Sequence, residues 1–260
     1  MYFLPEYNNL IFMKTNKVYT YQLLAKLGLP VLSSVLLKNT EQLSDVDIKE
    51  IKGFLNANYC TVRYQYITPN LSPKRGGNLI KIDKTNIISM LSKDYYLWLM
   101  KPINRLTNQY GINIRISKDL QLAIIEIVGK GFDVSSINRG TINPHETITI
   151  PLPINWGWYN QWWKFIKISI CNEASYRESL KIRKEELIRF QLDSNNSIFN
   201  NKFIPISYET LYKLLKYIEL LYDCNICNDF VVSVSVDENN EFVFWDIQIP
   251  KEKIFIYTGG

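Results

Sequence analysis

An acid and an amide stand two residues apart near the end of the chain, at Asp246 and Gln248. The alternation along Phe242–Gln248 predicts a strand, and on a regular strand both side chains would share a face with Phe242 and Phe244. Carboxylate and amide oxygens are hard ligands that suit Mg²⁺, which keeps its other positions for water and phosphate. The pair therefore predicts a metal-nucleotide site. The alternative is a polar strand face turned to solvent.

A hairpin preceded by a helix must position this pair. Ser233 and Ser235 fall on one side of a period-two strand, and valines occupy the other side. Residues 237–240, Asp-Glu-Asn-Asn, tolerate the backbone of a reversal, so the two strands are predicted to pair directly. A helical pattern over residues 206–223 comes just before the hairpin.

The composition is that of a packed globular protein. The chain has 260 residues, of which 47% are hydrophobic and 13% aromatic. Its net charge of +5 favours anionic partners such as nucleotide phosphates, nucleic acid or an acidic protein. No stretch approaches the roughly twenty apolar residues of a membrane span, and the first residues lack a secretory signal pattern. We therefore expect a cytoplasmic protein with no membrane partner.

Helix and strand patterns alternate through the first part of the chain. Helices are predicted over residues 17–27 and from Ser44 or Asp45 onward, with strands over residues 30–37 and 59–66. The loop that follows carries two cations and a glycine pair: Lys74, Arg75, Gly76 and Gly77. Glycine amides can approach phosphate oxygens closely while the cations neutralise their charge, although surface turns use the same residues.

Three chemically distinctive residues lie in the middle of the chain. Glu126 is the one carboxylate in the apolar run 122–128, so it must face solvent, pair or serve a site, because burying it alone is costly. Arg139 and His145 follow in loops bounded by glycine and proline. His145 is the only histidine, and the absence of a Gly-x-Ser-x-Gly elbow argues against hydrolase chemistry of that kind. A capping or loop role is the alternative for His145.

Two further motifs leave alternatives open. Cys224 and Cys227 have a redox or zinc-knuckle spacing, but a second such pair is missing, and structural thiols in a reducing compartment are the alternative. The tryptophan-rich run 156–163 could stack on bases or fill the junction between lobes. A protein that binds RNA or DNA therefore stays an alternative, with an affinity that should fall steeply with salt.

Both ends of the chain resemble the ATP-grasp family. Residues 16–32 look like its opening helix and the glycine-hydrophobic-proline-valine start of a strand. Thr61-Val-Arg63 and the glycine-pair loop resemble the nucleotide lobe of the phosphoenolpyruvate synthase and pyruvate phosphate dikinase branch. Residues 214–248 are similar to the metal-binding end of that branch. The family usually has glutamate where Ser233 aligns, glutamate or glutamine at Asp246, and asparagine at Gln248.

The resemblance implies an α+β fold with two lobes built on antiparallel sheets with flanking helices. Residues 1–92 would form a nucleotide-binding lobe, and residues 93–260 would carry the substrate region and the metal-binding hairpin. It also implies an enzyme that uses Mg-ATP to activate an acceptor, most often a carboxylate that is joined to an amine. The acceptor would be a small molecule or a peptide, and a homo-oligomer is left open.

The resemblance implies roles for the residues named above. Lys17 and Arg63 would hold phosphates or the base side of ATP, and residues 74–77 would close over the β- and γ-phosphates. Glu126 is counted with these cofactor-binding residues, while Asp246 and Gln248 would hold Mg²⁺. Arg139 and His145 are expected near the acceptor, since an arginine fork matches a carboxylate with two hydrogen bonds. Because Ser233 departs from the pattern, a scaffold or regulatory subunit that has lost catalysis is the alternative.

Overall fold

The chain forms two compact units, Met1–Ile103 and Asn104–Gly260. The computed structural model describes residues 17–37, 43–66, 78–102, 108–130, 132, 134–138, 140–156, 174, 177–179, 203–224 and 226–249. The boundary differs from the one predicted at residue 92, because the strand Tyr95–Met100 pairs within the sheet of the first unit. Each unit has an antiparallel sheet with helices beside it, which confirms the predicted α+β class.

The first unit is a four-stranded antiparallel sheet of order β1-β4-β2-β3. Its elements are α1 (Lys17–Lys26), β1 (Ser34–Leu37), α2 (Asp45–Leu55), β2 (Tyr59–Tyr66), β3 (Asn78–Lys81), α3 (Lys84–Met90) and β4 (Tyr95–Met100). The strand predicted over residues 30–37 is thus only half as long as expected. Pro30 has no N–H to donate to a neighbouring strand, and the strand begins only at Ser34.

Helix α2 shows how this unit is built from its sequence. Ser44 caps the helix, accepting from the Asp47 backbone N–H, while the Asp47 carboxylate accepts from the Ser44 backbone N–H. The apolar side chains of α2 then pack against the inward face of the sheet. This core includes Ile48, Ile51, Leu55, Val62, Leu97 and Leu99.

The second unit is a five-stranded antiparallel sheet of order β7-β6-β5-β8-β9. Its elements are β5 (Asn108–Ser117), β6 (Leu122–Val128), α4 (Ser135–Asn138), β7 (Glu146–Pro151), α5 (Tyr208–Asp223), β8 (Asp229–Asp237) and β9 (Phe242–Gln248). One face of the sheet is apolar and buried. Tyr217 of α5 packs edge-on against Phe242 and Phe244 of this face, with ring centroids 5.4 and 5.2 Å apart.

The hairpin β8–β9 carries a bulge that the sequence analysis did not anticipate. Ser233 pairs with Asp246, but the next residue, Val234, pairs with Phe244, so Trp245 is the extra residue. One inserted residue reverses the alternation beyond it. The prediction that Asp246 shares a face with Phe242 and Phe244 is therefore wrong, because Asp246 lies on the opposite face, with Ser233.

Candidate functional site

A row of polar residues crosses all five strands of the second sheet. Thr147, Glu126, Asn113, Ser233 and Asp246 are successive partners from β7 to β9. Partners in an antiparallel sheet point to the same face, so the five side chains form a single line, which we call the polar row. Asn113, Ser233 and Asp246 are buried, with 0%, 4% and 5% of their surface exposed. A buried line of this kind requires hydrogen-bond partners for each member.

Three side chains at the centre of the polar row form a closed network. Asn113 donates through Nδ2 to Oδ1 of Asn138 at 2.7 Å, and Asn138 donates through Nδ2 to Oγ of Ser233 at 3.4 Å. Ser233 in turn donates through Oγ to Oδ1 of Asn113 at 3.3 Å. Each member gives one hydrogen bond and accepts one, so the centre of the row is neutral and satisfied.

The segment that carries Asn138 lies directly on this face of the sheet. A Cβ atom placed on Gly111 of β5 would come within 2.8 Å of the Val134 backbone nitrogen and 2.9 Å of Cγ2 of Val128. Only a residue without a side chain permits so close an approach. The chain before and within α4 therefore packs on the sheet where Gly111 leaves room for it, and brings Asn138 to the polar row.

The sequence left three alternatives for Glu126, which could face solvent, pair with a cation or serve a site. Its Oε2 accepts a hydrogen bond from Nε of Arg115 at 2.9 Å, so the carboxylate is paired. Arg115 lies on the same face as Asn113, two residues further along β5. The described hydrogen bonds of Arg115 use Nε alone, and its side chain is 27% exposed. Its two terminal nitrogens are thus donors that an anion can reach.

Asp246 and Gln248 provide fewer oxygen ligands for a cation than the sequence predicts. Gln248 is exposed and turns its amide nitrogen toward Oδ2 of Asp246, at 3.5 Å, instead of lining up a second oxygen ligand. Within the described ranges, no three His, Cys, Asp or Glu side chains come together in a way that could hold a metal ion. One carboxylate with these neighbours is a poor fit to Mg²⁺, and its binding by this pair stays a prediction.

His145 is a fully buried residue whose two ring nitrogens are both engaged. Its Nδ1 accepts from the Gly129 N–H at 3.0 Å, and its Nε2 lies 3.2 Å from Oγ of Ser179. Phe132 and Phe203 pack edge-on against the ring, and burial lowers the pKa of His145 to about 4. These contacts fit the loop-anchoring alternative, since a neutral ring accepts from the loop backbone. The catalytic role assigned to His145 stays a prediction, and Arg139 lies outside the described residues.

The predicted nucleotide-binding residues of the first unit are only partly described. Arg63 lies on β2 opposite Trp98 of β4, with its guanidinium 5.6 Å from the centre of that ring. The ring of Tyr21 of α1 packs edge-on against the same tryptophan, with ring centroids 5.0 Å apart. Lys17 begins α1, but its side chain and residues 74–77 lie outside the described part of the chain. Their roles stay predictions.

Asn113, Arg115 and Asn138 were not predicted from the sequence as site residues. A signal for the first two exists, because they alternate along β5 with Ile112, Ile114 and Ile116, all of which are fully buried. Polar residues at alternate positions of a strand with a strong apolar face mark the opposite face of a sheet. Asn138 had no such signal, since its role depends on a loop that folds onto residues distant in sequence.

The two cysteines after α5 lie in ordinary structural positions. Cys224 donates through Sγ to the Leu221 carbonyl at 2.7 Å, and Cys227 donates to the Asp229 carbonyl at 3.2 Å. Burial raises the pKa of both thiols, that of Cys227 to about 11. Protonated thiols engaged with backbone carbonyls fit the structural alternative better than a redox or metal role.

The aromatic run is described only at its first residue, Trp156. Its indole N–H donates to Oε1 of Glu219 at 2.8 Å, and its ring packs edge-on against Tyr212 at 5.4 Å. Trp156 thus packs on α5. None of the described helices has the length and apolar character that a membrane crossing requires.

Comparisons with known proteins gave matches among solved structures only. No protein-family model matches the sequence, and no curated protein matches it. A D-alanine–D-alanine ligase from Bacillus anthracis matches with 13% identity and a TM-score of 0.44 over 91% of this chain and 57% of the ligase. The macrocyclase MdnC from Microcystis aeruginosa, bound with a precursor peptide, matches with 11% identity and a TM-score of 0.41 over 93% and 55%.

A third solved structure is similar in the same way. N5-carboxyaminoimidazole ribonucleotide synthetase in complex with ADP matches with 11% identity and a TM-score of 0.47, over 93% of this chain and 46% of the synthetase. The chain thus spans about half the length of the solved structures that it matches.

Proposed function

We propose that the protein binds ATP beside the polar row, at Arg115, and uses it to activate a carboxylate for capture by an amine, as an ATP-grasp-like ligase. The observation that carries the proposal is the polar row itself, with Arg115 beside it. The resemblance of both chain ends to ATP-grasp enzymes supports the choice of nucleotide. Assignment to the phosphoenolpyruvate synthase branch is the finer part of the proposal.

The polar row suits a phosphate group at its accessible part, since Thr147, Glu126 and the neighbouring Arg115 are partly exposed while the centre of the row is buried. Arg115 supplies the positive charge on this face. The carboxylate of Glu126 holds it through Nε, so its two terminal nitrogens can bind two oxygens of one phosphoryl group.

Phosphoryl transfer asks the protein mainly for alignment and charge neutralisation, since the protein does little covalent chemistry in this step. A carboxylate oxygen of the acceptor attacks the γ-phosphorus, ADP leaves, and an acyl phosphate forms. An amine then attacks the acyl carbon, phosphate leaves, and an amide results. Arg115 would neutralise the transferred group, and Arg139 would hold the acceptor, either a small molecule or a peptide.

A trapping assay tests this function without knowledge of the natural amine. The protein is incubated with ATP, Mg²⁺, hydroxylamine and a panel of amino acids and acidic peptides, and hydroxamate and ADP are measured together. We expect equal amounts of both with the right carboxylate. ADP release in the absence of hydroxamate throughout the panel would contradict acyl activation.

Substitution of Arg115 tests the site. Arg115→Ala should weaken ATP binding by about 10- to 100-fold, the effect of losing a charge-assisted hydrogen bond of about 1.5–3 kcal/mol. Lys84→Ala is the matched control, because it removes the same charge from an exposed position of α3 in the first unit. Equal ATP affinity in both variants would place the phosphates elsewhere.

A second candidate is a nucleotide-binding scaffold without turnover. The single carboxylate at Asp246 favours it, because a poorly held divalent ion gives little help to phosphoryl transfer. In that case ATP and ADP raise the melting temperature, while neither ADP nor hydroxamate accumulates. Nucleic-acid binding, the third alternative, is tested by filter binding at two salt concentrations.

A further inference from the structure

We infer that Ser233 sets the cation dependence of the polar row, so that this protein holds its nucleotide with little help from a divalent ion. The inference has two parts, one about nucleotide binding and one about metal binding. The part about nucleotide binding rests on the proposed function, because it concerns the face that this function assigns to ATP. The part about metal binding rests only on the side chains of β5, β8 and β9.

Ser233 occupies the position that directly faces Asp246. Side chains of directly opposed residues in an antiparallel pair have Cβ atoms about 5 Å apart, which is close enough for two carboxylates to share one cation. A serine supplies a neutral hydroxyl instead. This hydroxyl already donates to Asn113 and accepts from Asn138, so binding a cation would disrupt the network.

The other carboxylate of the row is too distant to replace Ser233. Glu126 lies on β6 and Asp246 on β9, three strand spacings apart, which amounts to roughly 14 Å. A Mg²⁺ ion takes oxygen ligands at about 2.1 Å, so the two carboxylates cannot hold the same ion. Glu126 is also paired with Arg115 at 2.9 Å.

The guanidinium of Arg115, which is partly exposed, and the amide of the exposed Asn138 are then the donors on this face that a bound anion can reach. Phosphate oxygens accept hydrogen bonds from such donors without a bridging metal. We therefore expect ADP to bind with an affinity that changes by less than about threefold when Mg²⁺ is replaced by a chelator.

The part about metal binding is tested with Mn²⁺ in the absence of nucleotide, and the concentration of free Mn²⁺ is measured from its electron paramagnetic resonance signal. Wild-type protein should bind Mn²⁺ only in the millimolar range. Ser233→Asp places a second carboxylate opposite Asp246 and should bind at least about tenfold more tightly, because cation affinity rises with the number of charged ligands. The double variant with Asp246→Asn should lose that gain.

Ser235→Asp is the matched control. Ser235 lies on the same strand and the same face, but its partner is Val243, so the same added charge meets no carboxylate across the hairpin. It should bind Mn²⁺ as the wild type does. If Ser233→Asp fails to fold, Asn138→Asp is the second variant, since Asn138 is exposed and lies 3.4 Å from Oγ of Ser233.

Two results would overturn the inference. One is tight Mn²⁺ binding by the wild type that Asp246→Asn abolishes, and the other is the absence of any gain in a folded Ser233→Asp or Asn138→Asp protein. Failure of the proposed function looks different, because wild-type protein would then bind neither ATP nor ADP while the Mn²⁺ results still followed the expected order.

Discussion

Ser233 and Asp246 face each other across the β8–β9 hairpin, on the face of the sheet away from Phe244. The bulge at Trp245 creates this relationship, since a regular strand would leave Asp246 on the apolar face. Trp245 itself is fixed by a hydrogen bond from its indole N–H to Oγ of Ser235, at 2.7 Å. The bulge therefore re-aims one acidic side chain toward the polar row, a use of bulges that is common beside functional sites.

Glu126→Gln should weaken ATP binding although Glu126 itself is an anion. The neutral amide still fills the space but no longer fixes the Arg115 guanidinium by a charge-assisted hydrogen bond. We expect a loss of about 3- to 10-fold in affinity, measured by titration calorimetry. Glu209→Gln is the control, because Glu209 pairs with Lys213 at an exposed position of α5. Tighter ATP binding by Glu126→Gln would mean that its charge opposes the phosphates.

Gly111→Ala should destabilise the protein by about 1–3 kcal/mol, the cost of overpacking against backbone that cannot easily move. The new methyl group would meet the Val134 nitrogen at 2.8 Å. Gly53→Ala is the matched control, since nothing lies within 4 Å of its Cβ position inside α2. There we expect a gain of roughly 0.5–1 kcal/mol from helix propensity. Urea unfolding of both variants measures the difference, and equal stabilities would contradict the close packing of Val134 on Gly111.

Strong local patterns explain which elements the sequence predicts well. Tyr59–Tyr66 matches its predicted bounds, because alternating apolar residues between turn residues define a strand without reference to other parts of the chain. The helix α2 is equally well defined, since Ser44 and Asp47 specify its first turn.

The polar row could not be predicted from the sequence, for a physical reason. Asn113 and Ser233 are 120 residues apart, and only strand pairing brings them together. The bulge at Trp245 depends on how β8 and β9 share hydrogen bonds, which alternation along a single strand cannot reveal. Asp246 was found as a candidate from its chemistry, but its neighbours could be found only from the register of the sheet.

Asn138→Ala should destabilise the protein more than its exposed position suggests. The substitution removes the acceptor for Nδ2 of Asn113, whose side chain is fully buried, and one donor to Ser233. An unsatisfied buried polar group costs about 1–3 kcal/mol. Asn239→Ala, an exposed position in the β8–β9 turn, should stay within about 0.5 kcal/mol of the wild type in the same urea experiment. If Asn138→Ala also lowers the free energy of unfolding by no more than about 0.5 kcal/mol, the closed network is contradicted.

His145 should make stability fall as the solution becomes mildly acidic. The pKa of His145 is about 4 in the folded protein, below the value of about 6.5 that is usual for histidine, so the folded state favours the neutral ring that accepts from Gly129. A group whose pKa is lowered by folding contributes stability above its unfolded pKa, and that contribution is lost as pH falls through the folded value. We expect a loss of about 1–2 kcal/mol between pH 7 and pH 5, measured by urea unfolding. His145→Gln keeps a neutral acceptor in the same place and should lose less over this range. Parallel pH profiles for the two proteins would show that the titration of His145 does not control acid stability.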